Sequence, residues 1–493
     1  MNLWTKSELL EALSEELLEQ NIPENLEINE VAIDSLKTSK NGLFIALRGK
    51  KNNGHDFIDQ AIINGCSVVL VDQKITHKTP TLLVKNTFAA LYKLAEFSRQ
   101  RSKAKIIALT GSVGKTGTKD MLELVFKTQG ENPGKTFATT GNLNNHIGLP
   151  LSLCNFPRDC DYGIFEMGMN HAGEIEPLSN LAKPHLAIVT NVGPVHIEFF
   201  KNEGEIAAAK AEIFSGLVGE KIALLNFDNP HFEFLKQQTQ GLKTLSFGKN
   251  TGADYKITAI IPANAAEKEG ALEVNDETPV IRERVGITTK NSCKIDSNLV
   301  TAKLPSGKKV SYQINSQHPA VIFNSIIVVA CLDLFGNDFK KGISALKNLE
   351  SKTGRGKITE AKGVVIIDES YNASLLSMHA GLEYASNLKK TLGKKRVIAA
   401  LGDMLELGEK STEIHEKTLS FLSEFNIDFA VLVGEKMSTA AKKLPKNLYQ
   451  TFPDSSSASL AIHDLVKDGD ILYVKGSRGM KMENIIQNLV SVH

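Results

Sequence analysis

Lys105-Ile-Ile-Ala-Leu-Thr110 runs directly into Gly111-Ser-Val-Gly-Lys-Thr116, so an apolar segment is followed at once by a glycine-rich turn. The apolar segment is typical of a buried β-strand, and the pattern after the turn is that of a helix. Glycines let the turn curl so that its N–H groups face phosphate oxygens, and a helix N-terminus favours negative charge. The stretch predicts a strand, a phosphate-binding loop and a helix in an α/β domain.

The residues of this loop have separate predicted roles. Lys115 is expected to bridge the β- and γ-phosphates of a nucleotide, and the Thr116 hydroxyl to bind Mg²⁺. The longer form of the pattern has glycine where this chain has Leu109, so a chance glycine turn is the alternative, which the order of strand, turn and helix disfavours. The predicted nucleotide contacts are Gly111, Ser112, Val113, Gly114, Lys115, Thr116 and Gly117.

The hydrophobic pattern divides the chain into three predicted domains, 1–103, 104–337 and 338–493. In the second and third, strand-like runs alternate with helical ones, which predicts parallel sheets. Residues 248–313 instead alternate polar and apolar residues and predict a small antiparallel insertion. The expected fold is α/β, with a central P-loop parallel sheet, a β-rich insertion and a C-terminal Rossmann-like domain.

Composition argues against several classes of protein. The 493 residues include 57 Lys and Arg against 56 Asp and Glu, which gives no overall charge for nucleic acid. No apolar run reaches the roughly 18 residues of a membrane helix, and Met1–Gln20 reads as an amphipathic helix rather than a signal peptide. The five cysteines fit reduced thiols better than a metal pair at Cys154 and Cys160. These features favour a cytoplasmic protein, and a monomer is the expected oligomeric state.

A set of motifs across the chain resembles the Mur ligase family. The motifs of the central block are the phosphate loop, Thr140-Gly-Asn-Leu-Asn-Asn145, Gly148-Leu-Pro150, Glu166-Met-Gly-Met-Asn-His-Ala-Gly173, Asn191-Val-Gly-Pro-Val-His196 and Ile206-Ala-Ala-Ala-Lys-Ala-Glu-Ile213. The Glu166 motif, together with Leu401-Gly-Asp-Met-Leu-Glu-Leu-Gly408, resembles the branch that handles D-alanyl-D-alanine. Members of the family use ATP to drive the formation of amide bonds.

The resemblance implies a metal site beside the phosphate loop. Glu166 follows an apolar run, and a carboxylate at the end of a strand can hold Mg²⁺. His196 alone would more often be structural, but in the family this residue helps to hold a second metal ion. The expected metal ligands are Thr116, Glu166, His196 and Lys210.

Lys210 lies on or beside the apolar stripe of a predicted helix over Glu205–Leu217. Burial would lower its pKa and leave an amine able to react with CO₂, whereas a snorkelling lysine is the alternative. The resemblance implies that this lysine is carbamylated and supports the second Mg²⁺. The expected catalytic residues are Lys115, His196 and Lys210.

The resemblance also implies further nucleotide contacts. Arg355 corresponds to a hinge arginine that reaches the ATP phosphates when the C-terminal domain closes, and Asp368 to an acid that binds ribose. Glu369 departs from the family pattern, which has aspartate there, and so does Ser374-Leu375, where Asn-Pro is usual. The remaining nucleotide contacts expected are Asn142, His318 and Asn324.

The substrate side is expected at both ends of the chain. The stretch around Asp34-Ser-Leu36 resembles the UDP-binding domain, although the family more often has arginine at position 36. Lys475-Gly-Ser-Arg-Gly-Met-Lys481 could cradle a peptide carboxylate or could be a solvated basic turn. The asparagines before Gly148 could contact substrate or cap a helix. The expected substrate contacts are Ser35, Asn144, Asn145, Lys475 and Arg478.

The implied activity is ATP-dependent joining of D-alanyl-D-alanine to UDP-N-acetylmuramoyl-tripeptide in peptidoglycan precursor synthesis, with Mg²⁺ and an acyl-phosphate intermediate. Another Mur-type or folylpolyglutamate-type ligase is the nearest alternative. A non-catalytic substrate-binding homologue is disfavoured because the expected catalytic residues are all present. A GTPase is disfavoured because Thr190-Asn-Val-Gly193 is not a guanine-reading motif, and a P-loop motor because the flanking domains are substrate-like.

Overall fold

A computed structural model of the chain describes residues 2–129, 134–263 and 297–491, and within these ranges the strands build three large sheets. Helices pack on each sheet, so the predicted three-domain α/β fold is confirmed. The predicted division at residues 103 and 337 stays a prediction. None of the described helices is long and apolar enough to cross a membrane.

The N-terminal sheet is mainly parallel, with one antiparallel strand at its edge. Its strands, in spatial order, are Leu17–Gln20, Thr81–Val84, Cys66–Val71, Gly42–Ile45 and Glu30–Ala32. Trp4–Thr5 pairs separately with Glu27–Ile28. The helices of this region are Lys6–Ala12, Ile58–Ile63 and Thr87–Arg101.

The prediction of one amphipathic helix over Met1–Gln20 is wrong in part. A capping box between Thr5 and Glu8 starts a helix at Lys6, and this helix ends at Ala12. Leu17–Gln20 then pairs with Thr81–Val84 as an edge strand. Pairing with a distant strand has overridden the local helical pattern, which is how tertiary context commonly acts on weak propensity.

The central sheet carries the phosphate loop on a middle strand. Its strands, in spatial order, are Lys309–Ile314, Asn298–Lys303, Tyr255–Pro262, Lys243–Gly248, Ile222–Asn226, Leu186–Val189, Lys105–Thr110, Tyr162–Glu166 and Thr136–Ala138. Its helices are Lys115–Phe126, Gly148–Cys154, Ile175–Ala182, Glu203–Ala211, Phe232–Gln237, Pro319–Leu334 and Phe339–Ser344. Parallel order places the carboxyl ends of the strands beside the loop, where ligands bind in such sheets.

The predicted β-insertion is an extension of this sheet. Tyr255–Pro262 pairs in parallel with Lys243–Gly248, and the next two described strands follow in antiparallel order. Residues 264–296, which the prediction also covered, lie outside the described part of the chain. Antiparallel strands were thus predicted correctly, but they continue the main sheet.

The C-terminal sheet is parallel except at one edge. Its strands, in spatial order, are Lys357–Ala361, Val364–Glu369, Asp470–Lys475, Arg396–Gly402, Phe429–Val433 and Tyr449–Phe452, of which Lys357–Ala361 is antiparallel. Its helices are Leu375–Leu392, Ser411–Glu424, Glu435–Ala440, Ser455–Leu465 and Glu483–Ser491. The mainly parallel sheet with helices packed on it fits the predicted α/β domain, although its strand order differs from the 3-2-1-4-5-6 order of the Rossmann fold.

Candidate active site

The phosphate loop closes tightly against its surroundings. Gly114 precedes the helix with a φ of 86°, and a Cβ there would lie 2.5 Å from Nδ2 of Asn324. A Cβ on Gly111 would lie 2.0 Å from the Thr190 hydroxyl. Only glycine fits such close approaches, which explains both glycines of the motif.

The loop is fastened to the turn that follows strand Leu186–Val189. The Thr190 hydroxyl donates to the carbonyl oxygen of Val113 at 2.7 Å, and the Ser112 hydroxyl donates to that of Gly193 at 2.9 Å. Lys115 curls back and donates to the carbonyl oxygen of Gly111. The ammonium group is therefore held over the loop, where a phosphate would lie.

A carboxylate, a hydroxyl and an amide meet beside the loop. Glu166 ends strand Tyr162–Glu166 and is buried. Its Oε2 accepts a hydrogen bond from the Thr116 hydroxyl at 2.9 Å, and its Oε1 accepts one from the Asn144 amide at 2.8 Å. The hydroxyl and carboxylate oxygens are of the hard type that Mg²⁺ prefers.

Lys210 is a buried lysine close to Lys115. It lies on helix Glu203–Ala211 and is 4% exposed, so its predicted place on the apolar face is confirmed. Within the described chain, its amine makes no hydrogen bond or ion pair. Burial, reinforced by the charge of Lys115, holds the pKa of Lys210 well below its ordinary value. Burial therefore favours the neutral form of this amine over its charged form.

Burial also lowers the pKa of Lys115 itself. The charge of Glu166 opposes this shift, and the charge of Arg355 adds to it. Arg355 comes from the segment before the C-terminal sheet, and its guanidinium lies 3.9 Å from the centre of the Tyr371 ring. The ring holds the arginine near the loop, because a cation over an aromatic face is attracted to it.

His196 lies at the edge of the same region. It follows strand Leu186–Val189 and has a φ of 60°. Its Nδ1 lies 2.5 Å from Oε2 of Glu406, which belongs to the C-terminal domain. Burial lowers the pKa of His196; Glu406 opposes the shift, and the charges of Lys115 and Lys210 add to it. The imidazole therefore contacts a carboxylate and is within electrostatic range of two lysines.

A second contact between the central and C-terminal domains is buried. Oε1 of Glu369 lies 2.8 Å from Nε2 of His318, which caps helix Pro319–Leu334. Its Oε2 accepts hydrogen bonds from the Tyr473 hydroxyl at 2.8 Å and from the Lys475 ammonium at 2.9 Å. Burial alone would raise the pKa of Glu369, but Lys475 and His318 hold it well below its ordinary value.

Models of three Mur ligase domains match this chain in succession. They are described as the Mur ligase family catalytic domain, at residues 27–97, the Mur ligase middle domain, at 109–286, and the Mur ligase glutamate ligase domain, at 354–478. The UDP-N-acetylmuramoyl-tripeptide–D-alanyl-D-alanine ligase of Rickettsia prowazekii is 32% identical, over 98% of this chain and 99% of its own. The chain belongs to the Mur ligase family.

Other Mur ligases are similar over nearly the whole length. The enzyme of the same name from Bacillus subtilis is 32% identical over 94% of this chain and 93% of its own. MurF from Acinetobacter baumannii superposes with a TM-score of 0.81 at 26% identity, covering 99% of this chain and 98% of that one. MurF ligase from Thermotoga maritima, solved in complex with ADP, superposes with a TM-score of 0.73 at 25% identity, covering 94% and 97%.

Among the other site residues predicted for this Mur ligase, the three asparagines differ in their partners within the protein. Asn144 binds Glu166, whereas the Asn145 side chain accepts from the N–H groups of Ile147 and Gly148 and its carbonyl oxygen accepts from that of Leu149, so it caps the turn that leads into helix Gly148–Cys154. Asn142 is exposed on the turn before them. The capping alternative therefore applies to Asn145, and the ligand contacts of all three stay predictions.

The predicted C-terminal contacts also have partners within the protein. Asp368 is buried and accepts from the N–H group of Gly354 at 2.8 Å, so it holds the segment that carries Arg355. Arg478 pairs with Glu483 at 2.9 Å and is exposed. Lys475 is turned inward to Glu369, which gives its ammonium a partner other than a peptide carboxylate.

The N-terminal candidate Ser35 is buried at the start of the 3₁₀ helix Ser35–Lys37, which Asp34 caps. Leu36, at the position where the family more often has arginine, is 74% exposed. The role of this turn in binding UDP stays a prediction.

Sequence reasoning missed the roles of Glu406 and Glu369. Glu406 lies in the Leu401–Gly408 motif, but its contact with His196 joins residues that are 210 positions apart in the sequence. Glu369 was noted as a departure from the family pattern, and its contact with His318 spans 51 residues. The sequence signal that could have pointed to these roles was the presence of a carboxylate in each motif.

Proposed function

We propose that this chain is an ATP-dependent ligase that joins D-alanyl-D-alanine to UDP-N-acetylmuramoyl-tripeptide and forms ADP and phosphate. The observation that carries the proposal is the convergence of Lys115, Thr116, Glu166, Lys210 and Arg355 beside the phosphate loop of a Mur ligase. Relatives that are similar over nearly the full length bear the name of this activity. These five residues all come from one chain, and we propose a monomer in the cytoplasm, where nucleotide-linked precursors and ATP are available.

In the first step, a carboxylate oxygen of the tripeptide forms a bond to the γ-phosphorus of ATP, and the bond from that phosphorus to ADP breaks. Negative charge grows on the transferred group, and the cations of Lys115 and Arg355 are placed to offset it. In the second step, the dipeptide amine attacks the acyl phosphate, phosphate leaves, and the amine loses a proton. The protein mainly positions the reactants and excludes water.

The residues present fit a magnesium site. The described residues contain no group of three or more His, Cys, Asp or Glu side chains able to hold a metal ion. A site built from the Thr116 hydroxyl, Glu166 and phosphate oxygens suits Mg²⁺, which commonly binds through one or two carboxylates and substrate phosphates. Bound there, Mg²⁺ would neutralise charge on phosphate oxygens. Lys210, as a carbamate, and His196 would support a second ion.

Phosphate release tests the proposed activity. We expect wild-type turnover to require both UDP-N-acetylmuramoyl-tripeptide and D-alanyl-D-alanine, within a panel of amines and shorter acceptors. Lys115→Ala is the matched negative control, and its turnover should fall by far more than tenfold, where tenfold corresponds to a barrier change of about 1.4 kcal/mol. Equal or faster turnover with a single amino acid on a shorter acceptor would reject the assigned substrates.

The Lys210 carbamate has a separate test. Lys210→Ala should fold normally and lose most activity, because an anionic oxygen ligand is removed. Acetate or formate should restore part of the activity by filling the vacated position. Lys210→Arg should stay inactive, because arginine keeps the charge but cannot form the carbamate. A nearly active Lys210→Arg variant would show that the lysine acts as a simple cation.

A further inference from the structure

The contact between His196 and Glu406 joins two turns of unusual conformation. His196 has a φ of 60° and Glu406 a φ of 61°. Residues with a Cβ rarely adopt this left-handed conformation, and when they do in packed structures the site is commonly functional. Here the two residues meet each other across the interface between the central and C-terminal domains.

The two turns also fit each other closely. The N–H group of Glu198 donates to the carbonyl oxygen of Glu406 at 3.5 Å. Gly408 has a φ of 54°, and a Cβ on it would lie 2.8 Å from Cβ of Glu198. A side chain at position 408 would therefore push the two turns apart, so the Leu401–Gly408 segment is shaped for docking.

The segment that carries Glu406 is fixed from behind. Asp403 is buried and accepts hydrogen bonds from the N–H groups of Lys436 at 3.1 Å and Met437 at 2.7 Å. The N–H group of Met404 donates to Nε2 of His415 at 3.0 Å. Glu406 is thus presented by a rigid base, and its place relative to His196 is set by how the two domains dock.

The carboxylate settles the orientation of the imidazole. A neutral histidine carries one proton, and a carboxylate at Nδ1 favours the form with the proton on that nitrogen. The lone pair of Nε2 is then free. Carboxylates that hold the outer nitrogen of a metal-binding histidine in this way fix its tautomer and ring orientation.

Resting on the proposed ligase function, we infer that Glu406 is a positioning residue of the reaction, delivered by docking of the C-terminal domain to hold His196 with Nδ1 protonated and Nε2 free. The central domain alone lacks this carboxylate. Docking of the C-terminal domain through the Leu401–Gly408 motif is therefore what places a carboxylate against His196.

The test compares Glu406→Ala with Glu406→Gln and a matched control. Glu409→Ala removes an exposed carboxylate directly after the Leu401–Gly408 segment. We expect Glu406→Ala to lower kcat by about 10–100-fold, with little change in KM for the tripeptide substrate. Glu406→Gln should fall between, because its amide oxygen still accepts the Nδ1 proton but carries no charge. Glu409→Ala should match the wild type.

A second measurement uses the protein without nucleotide or metal. The ¹⁵N shifts of the His196 ring, assigned by comparison with His196→Gln, report which nitrogen carries the proton. We expect Nδ1 in the wild type and a shift toward Nε2 in Glu406→Ala, with no shift in Glu409→Ala. An unchanged tautomer in Glu406→Ala, or activity within about twofold of a wild type that is an active ligase, would overturn the inference.

Failure of the proposed function would look different. In that case the wild type would not release phosphate with the two substrates, while the tautomer would still respond to Glu406→Ala. The spectrum of the free protein thus separates the positioning contact from the identity of the substrates.

Discussion

The central and C-terminal domains meet at two histidine–carboxylate contacts that use the same chemistry in opposite surroundings. At the first, the side chains of His318 and Glu369 are 15% and 8% exposed, and Lys475 completes a buried cluster. At the second, His196 and Glu406 are 25% and 46% exposed, and the carboxylate is half in solvent. The surroundings decide what each contact can contribute.

The buried contact is expected to act as a fixed joint. Removing one partner of a buried charged cluster leaves the other charge without compensation, which typically costs about 3–5 kcal/mol. The exposed contact is screened by water, and such pairs contribute at most about 1 kcal/mol. The exposed contact can therefore form and break with little change in free energy, so its importance lies in orientation.

The largest expected effect is on stability at the buried joint. Lys475→Met should lower the free energy of unfolding by about 3–5 kcal/mol, because it leaves Glu369 buried without its main cation. Urea unfolding followed by fluorescence or circular dichroism measures it. Exposed Lys467→Met is the control, and the double variant Glu369→Gln/Lys475→Met should recover much of the loss. A loss below about 1 kcal/mol for Lys475→Met would show that this contact is no firmer than a surface pair.

Acid should weaken the buried joint specifically. The folded pKa of Glu369 lies below its ordinary value of 4.5, so its contribution is fully present above pH 4.5 and is lost as pH falls below that value. The stability difference between wild type and Glu369→Gln should shrink on acidification by up to about 1.4 kcal/mol per pH unit. Urea midpoints of both proteins between pH 7 and about 3.5 provide the measurement. A difference that stays constant would contradict the lowered pKa.

The smallest expected effect is on stability at the exposed contact. Glu406→Ala should change the free energy of unfolding by no more than about 1 kcal/mol, because water compensates the lost pair. The same urea experiment measures this change, with Glu409→Ala as the reference. A loss as large as that of Lys475→Met would remove the distinction between the two contacts and make Glu406 a structural residue.

Local order along the chain was enough to predict the loop region. An apolar strand, a glycine turn and a helix place Lys115 and Thr116, and parallel strand order brings Glu166 beside them. Helical spacing also predicted that Lys210 lies on or beside the apolar stripe of its helix, and the residue is buried. These features depend on neighbouring elements of one sheet, whose geometry is regular.

The contacts between domains were beyond sequence reasoning. His318 finds Glu369, and His196 finds Glu406, only because two separate sheets dock in one particular way. Lys475 shows a further limit within one sheet, since the basic turn was expected either to cradle a carboxylate ligand or to be solvated, and its ammonium instead pairs with Glu369 on the neighbouring strand. Periodicity determines which face of an element is buried, but it carries no information on which side chain of another domain lies opposite.

Helix Pro319–Leu334 spans the distance between the nucleotide loop and the C-terminal sheet. His318 at its start holds Glu369, and Asn324 lies against Gly114 of the loop, about 9 Å farther along at the rise of an α-helix. Most of the helix is buried in a close-packed core, so it resists bending and sliding. The helix therefore couples the two regions rigidly. If the C-terminal sheet rotates, either the hydrogen bond at His318 breaks or the helix presses on the loop that holds the phosphates.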